Sequence, residues 1–314
     1  MVVYDEQKKQ DTNYKVAGRI PILLKDTGEY RVRVTFRDLN RNTTFEKIST
    51  LTIGRNSPEN FCLFESSGTP VFGNPEVSQS YELRCVRCTG TIYHLETTPD
   101  YRLPPPPFAS VEAPIFRPAW NLSSTLRHSG EVMIADSSLT RFTEDTTQRQ
   151  GYTITSFCKG FPDIVKGDQM LAPLRFLCTQ REYDDLLIMS DQKKAAESFW
   201  LNRSGSKDRA RSLIRTFYHR VETANSFFSS AREGWRTDRG LIHIIFGQPT
   251  RIIRRGEHEI WTYGQGNQMQ SIVFTFNRIR GPFANEYVLE RGPIFKSFWY
   301  RAIETWRAGR AYIY

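Results

Sequence analysis

Gly234-Trp235-Arg236-Thr237-Asp238-Arg239-Gly240-Leu241-Ile242-His243-Ile244-Ile245-Phe246-Gly247-Gln248-Pro249 is the stretch whose reading decides how the last third of this chain folds. Gly234 suits the left-handed position that closes a helix. Trp235, a large aromatic beside glycine, fills a packing notch against a helix or sheet. Thr237 and Asp238 make a polar turn with Arg236 and Arg239, and the short acid favours bonding to nearby backbone N–H groups. The continuous apolar run from Leu241 to Phe246 reads as a buried strand. Gly247-Gln248-Pro249 ends it, because proline cannot donate to a ladder.

Working outward, the pattern predicts strands at Ile252-Ile253, at Glu259–Tyr263 with Trp261 and Tyr263 on one face, at Ser271–Phe276 and at Glu286–Leu289. A terminal helix is predicted over Phe295–Trp306. Upstream, Thr179-Gln180-Arg181-Glu182 has capping-box form, and Ser190-Asp191 caps a second helix that runs to about Leu201. Ser204-Gly205-Ser206 is a hinge. The long helix Lys207–Phe228 places Leu213, Phe217, Val221, Ala224 and Phe228 on one face at a 3.6-residue period, with Arg209, Arg215, Arg220 and Glu222 opposite. Residues 179–314 therefore form an α+β module with a small antiparallel sheet.

Earlier residues are β-rich and sandwich-like. Val16–Leu24, Glu29–Phe36 and Phe45–Ile53 are strand candidates; Tyr30, Val32, Val34 and Phe36 alternate with polar partners. Three strands fall short of a sandwich, so residues 1–56 read as a partial sandwich domain truncated at its start. Phe61–Phe64, Tyr81–Val86 and Thr91–Leu95 are strands of a β-rich first part, 57–107, closed by the semi-rigid Pro104–Pro107. A β-rich to irregular region, 108–178, carries strands at Glu131–Ala135, Leu139–Phe142, Tyr152–Phe157 and Met170–Cys178.

A chain of 314 residues holds two or three domains, and 39% hydrophobic against 25% charged residues excludes a disordered chain. The formal charge is +9, and about two thirds of the excess lies between Arg232 and Tyr314. No apolar run reaches the roughly 18 residues of a membrane span. Met1-Val2-Val3-Tyr4 leads into charged residues with no signal peptide, so the protein is cytosolic or this chain lacks the start of its precursor.

Few residues point to chemistry. Cys85-Val86-Arg87-Cys88 has the CxxC spacing of a redox pair or half a zinc site, but its surroundings alternate like a strand and no second pair follows. A disulfide from Cys62 to one of that pair, a Cys158–Cys178 disulfide, and reduced buried thiols are the other readings. None of the five histidines has a metal-binding helical spacing. His243 reads as a packing residue, and His258 is turned away from Glu257 and Glu259 by alternation. No nucleophile elbow, phosphate loop or dinucleotide fingerprint occurs. No catalytic residue, metal or cofactor is expected.

The block from Gly234 to Pro249, with the helices before it, resembles the GWxTD-domain family of bacterial envelope proteins from about Met170 to Tyr314. Gln248 departs from the small turn former expected there. The structural signature is Gly234, Trp235, Thr237, Asp238, Gly247, Pro249, Trp261 and Tyr263. Gly247-x-Pro249, Trp261-x-Tyr263 and Val273-Phe274-x-Phe276 are also similar in order to the small outer-membrane lipoprotein of the β-barrel assembly machinery. The family resemblance implies a periplasmic or outer-membrane-associated setting. The expected function is a non-catalytic scaffold or accessory subunit binding another envelope protein. Arg251, Arg254, Arg255, Arg278, Arg280 and Arg301 form the candidate binding face, since arginine and aromatics are enriched at interface hot spots. The alternatives are an envelope-polymer hydrolase or transferase using Asp238 and Glu259, and binding to an anionic membrane surface or, last, to nucleic acid.

Overall fold

The computed structural model describes residues 26–39, 42–54, 57–71, 74–100, 102–111, 117–147, 151–264, 271–279 and 285–314. The strand candidate Val16–Leu24 lies outside them. β1 (Gly28–Asp38) and β2 (Thr43–Ile53) pair antiparallel along their whole length. Their period-two pattern brings Tyr30, Val32 and Val34 onto the face that holds Phe36, Phe45 and Leu51.

Seven strands follow: β3 (Phe61–Glu65), β4 (Ser80–Cys85), β5 (Thr91–Thr97), β6 (Asn121–Arg127), β7 (Ser129–Met133), β8 (Leu139–Thr143) and β9 (Tyr152–Thr155). They form two antiparallel sheets, ordered β3-β4-β7 and β6-β5-β8-β9. Leu63, Leu83 and Val132 of the first share an apolar core with Ile92, Phe142 and Ile154 of the second. Both sheets use strands from either side of Pro104–Pro107. β6 escapes a sequence reading because only Leu126 among its residues is half-buried and the rest are exposed.

Cys85 and Cys88 form a disulfide at the end of β4, while Cys62, Cys158 and Cys178 are thiols. The expected Cys62 and Cys158–Cys178 disulfides are thus corrected. Register explains the first: Phe61 lies opposite Cys85 and Cys62 opposite Arg84, so Cys62 points to the other face of the sheet. Burial pushes the Cys178 thiol up to about 11.

Met170–Cys178, expected as a strand, is helical. α1 (Gly167–Leu171) runs into a 3-10 turn, Ala172–Phe176, with Pro173 at its start. Proline fits the first turn because its missing N–H has no partner there anyway. Leu171, Leu174 and Leu177 are buried.

α2 (Gln180–Leu187) starts at the expected capping box, with Thr179 and Glu182 satisfying each other's backbone N–H. α3 (Gln192–Ser204) is capped by Asp191 and ends at Gly205, φ 69°. α4 (Lys207–Phe228) is capped by Ser206 and buries Leu213, Phe217, Val221 and Ala224. Arg220 does not stand on its outer face: the guanidinium donates to the carbonyls of Ile244 (3.1 Å) and Tyr312 (2.8 Å).

The run Leu241–Phe246 is a helix, not a strand. α5 (Asp238–Phe246) follows a 3-10 turn over Gly234–Arg236, and all nine of its residues are buried. A helix enclosed on every side shows no amphipathic stripe, so its sequence looks like a core strand.

β10 (Arg251–Arg255), β11 (His258–Tyr263), β12 (Ile272–Arg278) and β13 (Tyr287–Leu289) then form one antiparallel sheet in sequence order, followed by α6 (Lys296–Arg307). Trp261, Tyr263, Phe274 and Phe276 face the helices, and Trp200, Phe217 and Trp306 meet in the helical layer. Register places Ile253, Ile260, Thr262, Val273 and Thr275 on the other face of the sheet.

Candidate functional site

Gly234 does not end a helix in the left-handed region. Its requirement is space: a Cβ there would overlap the Ala224 carbonyl of α4, and one at Gly240 would overlap the Gly234 carbonyl. The two glycines let the 3-10 turn lie directly on α4 and α5 lie directly on the turn. Trp235 locks this crossing. Its backbone N–H donates to Asn225 Oδ1 (3.2 Å) and its indole to Glu233 (3.0 Å), while Phe176 meets the ring edge-on and Arg236 lies over it at 4.2 Å.

Thr237 is the N-cap of α5. Its hydroxyl accepts from Gly240 N (3.1 Å) and donates to the Gly234 carbonyl (2.7 Å), tying the turn to the helix start. Asp238 does not bond into its own turn, as the sequence led us to expect. Its carboxylate accepts from the backbone N–H of Leu289 in β13 (2.8 Å) and from both terminal nitrogens of Arg291. An acid in the first turn of a helix is also favoured by the helix dipole.

Arg239, the next residue, makes a second set of contacts. It reaches Asn285 Oδ1 (2.6 Å), lies over the Tyr287 ring at 4.1 Å, and stands 3.7 Å from Glu259. Burial lowers its pKa, with Glu259 opposing the shift. Glu259 accepts from the Trp261 indole (2.7 Å) and from Arg254 (2.8 Å). Tyr263 donates to the Gly247 carbonyl (2.9 Å). Gly247, φ 86°, and Pro249 close a helix rather than a strand. Asp238 and Glu259 are thus each buried and paired, in two separate sets of contacts. His258 faces away from Glu259, toward Asn277 (2.6 Å).

The candidate arginines separate. Arg251 and Arg255 are exposed, lie on the outer sheet face with Ile253 between them, and make no ion pair among the described residues. Arg254, on the opposite face, is also exposed, but its guanidinium pairs with the buried Glu259 at 2.8 Å. Arg278 is exposed at the end of β12, and its N–H donates to the Glu257 carbonyl (2.7 Å). Arg301 sits on α6 with its guanidinium 5.9 Å from the Phe298 ring. Arg280 lies outside the described residues.

Several contacts that organise the module gave no sequence signal, because the partners are distant in the chain. Arg291 reaches Pro105 O (3.1 Å) as well as Asp238, and Gly292 N donates to Pro107 O (3.0 Å). Arg232 pairs with Asp100 at 2.9 Å, both side chains 3% exposed, joining the proline segment to the turn before Trp235. Glu182 gathers Arg203 and both terminal nitrogens of Arg307. Arg307 beside it holds the carboxyl down at about 2. A surface groove of about 600 Å³ runs along α4 past Met170, Tyr218, His219 and Glu222, away from the signature residues. Among the described residues, no cluster of three His, Cys, Asp or Glu forms a metal site, and no helix is long and apolar enough to cross a membrane.

Comparison with protein-family models gives a match to the GWxTD domain over residues 138–308, more than half of the chain. The match begins at Ser138, before β8, and so takes in the last two strands of the sandwich-like region as well as the helices and the signature. A search of curated proteins finds no match, and a search of solved structures finds none. The clasp of Gly234, Trp235, Thr237 and Asp238 is built from the residues that give the domain its name, and this chain belongs to the GWxTD-domain family.

Proposed function

We propose that this protein is a non-catalytic component of a bacterial cell envelope, a scaffold or accessory subunit that binds another envelope protein through its basic C-terminal module. One contrast carries the reading. The polar groups of the signature are turned inward onto their own chain, whereas Arg251 and Arg255 stand exposed on the open face of the sheet and, among the described residues, without an ion pair. Uncompensated surface charge steers association and selects partners. The Cys85–Cys88 disulfide supports an oxidising compartment such as the periplasm.

The test is chemical cross-linking in intact cells, with the wild type compared against an R251E/R255E variant. The reading expects one envelope protein to be captured by the wild type and lost from the variant. Equal capture by both, or capture of cytosolic proteins alone, would contradict it.

A further inference from the structure

The two edges of the four-stranded sheet are finished differently. At the β13 edge, the Leu289 N–H is taken by the Asp238 carboxylate and Arg291 fills the space beside it. At the β10 edge, backbone groups pair with β11 on one side, and among the described residues nothing pairs on the other. Register from Arg251↔Thr262 to Arg255↔His258 is continuous, with no bulge to bend the strand away, and β10 contains no proline. Such an edge is a template for a further strand. Among the described residues, what guards this edge is charge, and that charge has a pattern. Arg251, Ile253 and Arg255 share the outer face at i, i+2 and i+4, the two arginines about 13 Å apart along the strand. Arg254, on the other face, is already matched by Glu259.

We propose that β10 is a docking edge for an extended acidic segment of a partner protein. The segment adds a fifth strand, setting a carboxylate beside Arg251, an aliphatic side chain beside Ile253 and a second carboxylate beside Arg255. Opposite charges across neighbouring strands attract and like charges repel, so the arginines that keep β10 from pairing with its own copy select an acidic strand. The proposal rests on the partner-binding reading above and names the chemistry of the partner.

The experiment uses the full chain and a synthetic peptide, Thr-Glu-Thr-Val-Thr-Glu-Thr, with acetylated and amidated ends. Binding is followed by calorimetry and by amide exchange across residues 251–255. The wild type is expected to bind this peptide and to gain protection at β10. Backbone N-methylation of alternate residues, or replacement of both glutamates by lysine, should weaken binding at least tenfold. The R251E/R255E variant should reverse the preference and favour the lysine peptide, which also shows that the variant is folded. Failure of the wild type to bind the acidic peptide, or binding indifferent to N-methylation, overturns the strand-addition proposal. The cross-linking test can still succeed in that case, since a partner that pairs its charges with Arg251 and Arg255 without adding a strand would satisfy it.

Discussion

Asp238 and Arg291 face each other where α5 meets β13, with side chains 1% and 5% exposed. The carboxylate also takes the Leu289 N–H, so one side chain fixes the start of a helix, the edge of a sheet and a distant guanidinium. Pairing answers the cost of burying both charges, because a buried ion is tolerated only with a partner and hydrogen bonds to fill its remaining sites. The signature is therefore a mechanical joint. Glycines set the distance of approach, tryptophan fills the crossing, threonine starts the helix and aspartate anchors the sheet.

The glycines give the sharpest steric prediction. Gly234→Ala and Gly240→Ala each push a methyl into backbone, which cannot rotate away, and each should cost about 3 kcal/mol or more. Gly205→Ala provides the contrast. Gly205 has φ +69° with open space around it, so the cost is only that of the left-handed backbone, about 1 kcal/mol. Urea unfolding of the three variants measures the difference, and equal losses would refute the packing account.

Arg232 and Asp100 couple the proline segment to the turn before Trp235. Arg232→Met leaves Asp100 with the more exposed Arg102 and should lower stability by about 3 to 5 kcal/mol, the usual result of breaking a buried pair. Limited proteolysis should then cut within residues 98–108, with sites mapped by mass spectrometry. Resistance equal to the wild type would contradict the coupling.

Acid should weaken the fold in two separable windows. Burial lowers the His243 pKa to about 4, from 6.5 for the free side chain, with nearby Arg220 and His219 adding to the shift. The unfolded chain takes up that proton first, so this contribution is complete above about 6.5 and is lost as pH falls toward 4. Glu182, held at about 2 against a usual 4.5, contributes above 4.5 and loses its share as pH falls toward 2. Because Glu182 is about a third exposed, solvent screens its part. His243→Gln should flatten the upper window and Glu182→Gln the lower, as read from urea midpoints across pH.

The elements legible in the sequence were those with one buried face. Leu213, Phe217, Val221 and Ala224 announced α4 by their spacing, Thr179 and Glu182 marked the start of α2, and alternation about Trp261 and Phe274 located the central strands. Illegible elements lacked that asymmetry. α5 is enclosed on all sides, and only Thr237 with Asp238, a cap followed by an acid in the first turn, hinted at a helix start. β6 fails for the opposite reason, being exposed along nearly its whole length. The joint itself was half visible. Gly234, Trp235, Thr237 and Asp238 stood out together, but Asp238 finds its partners 51 and 53 residues away, a pairing that local reasoning does not reach.

The most direct test of the joint is a double-mutant cycle on Asp238 and Arg291, using Asp238→Asn, Arg291→Met and both together, with unfolding free energies from urea titration. Each single change strands a buried polar partner and should cost about 3 to 5 kcal/mol. The double variant should cost clearly less than their sum, giving a coupling of about 1.5 to 3 kcal/mol. Costs that add within about 0.5 kcal/mol would mean that the two side chains act independently, and would contradict the assignment of the signature aspartate as the clasp between helix and sheet.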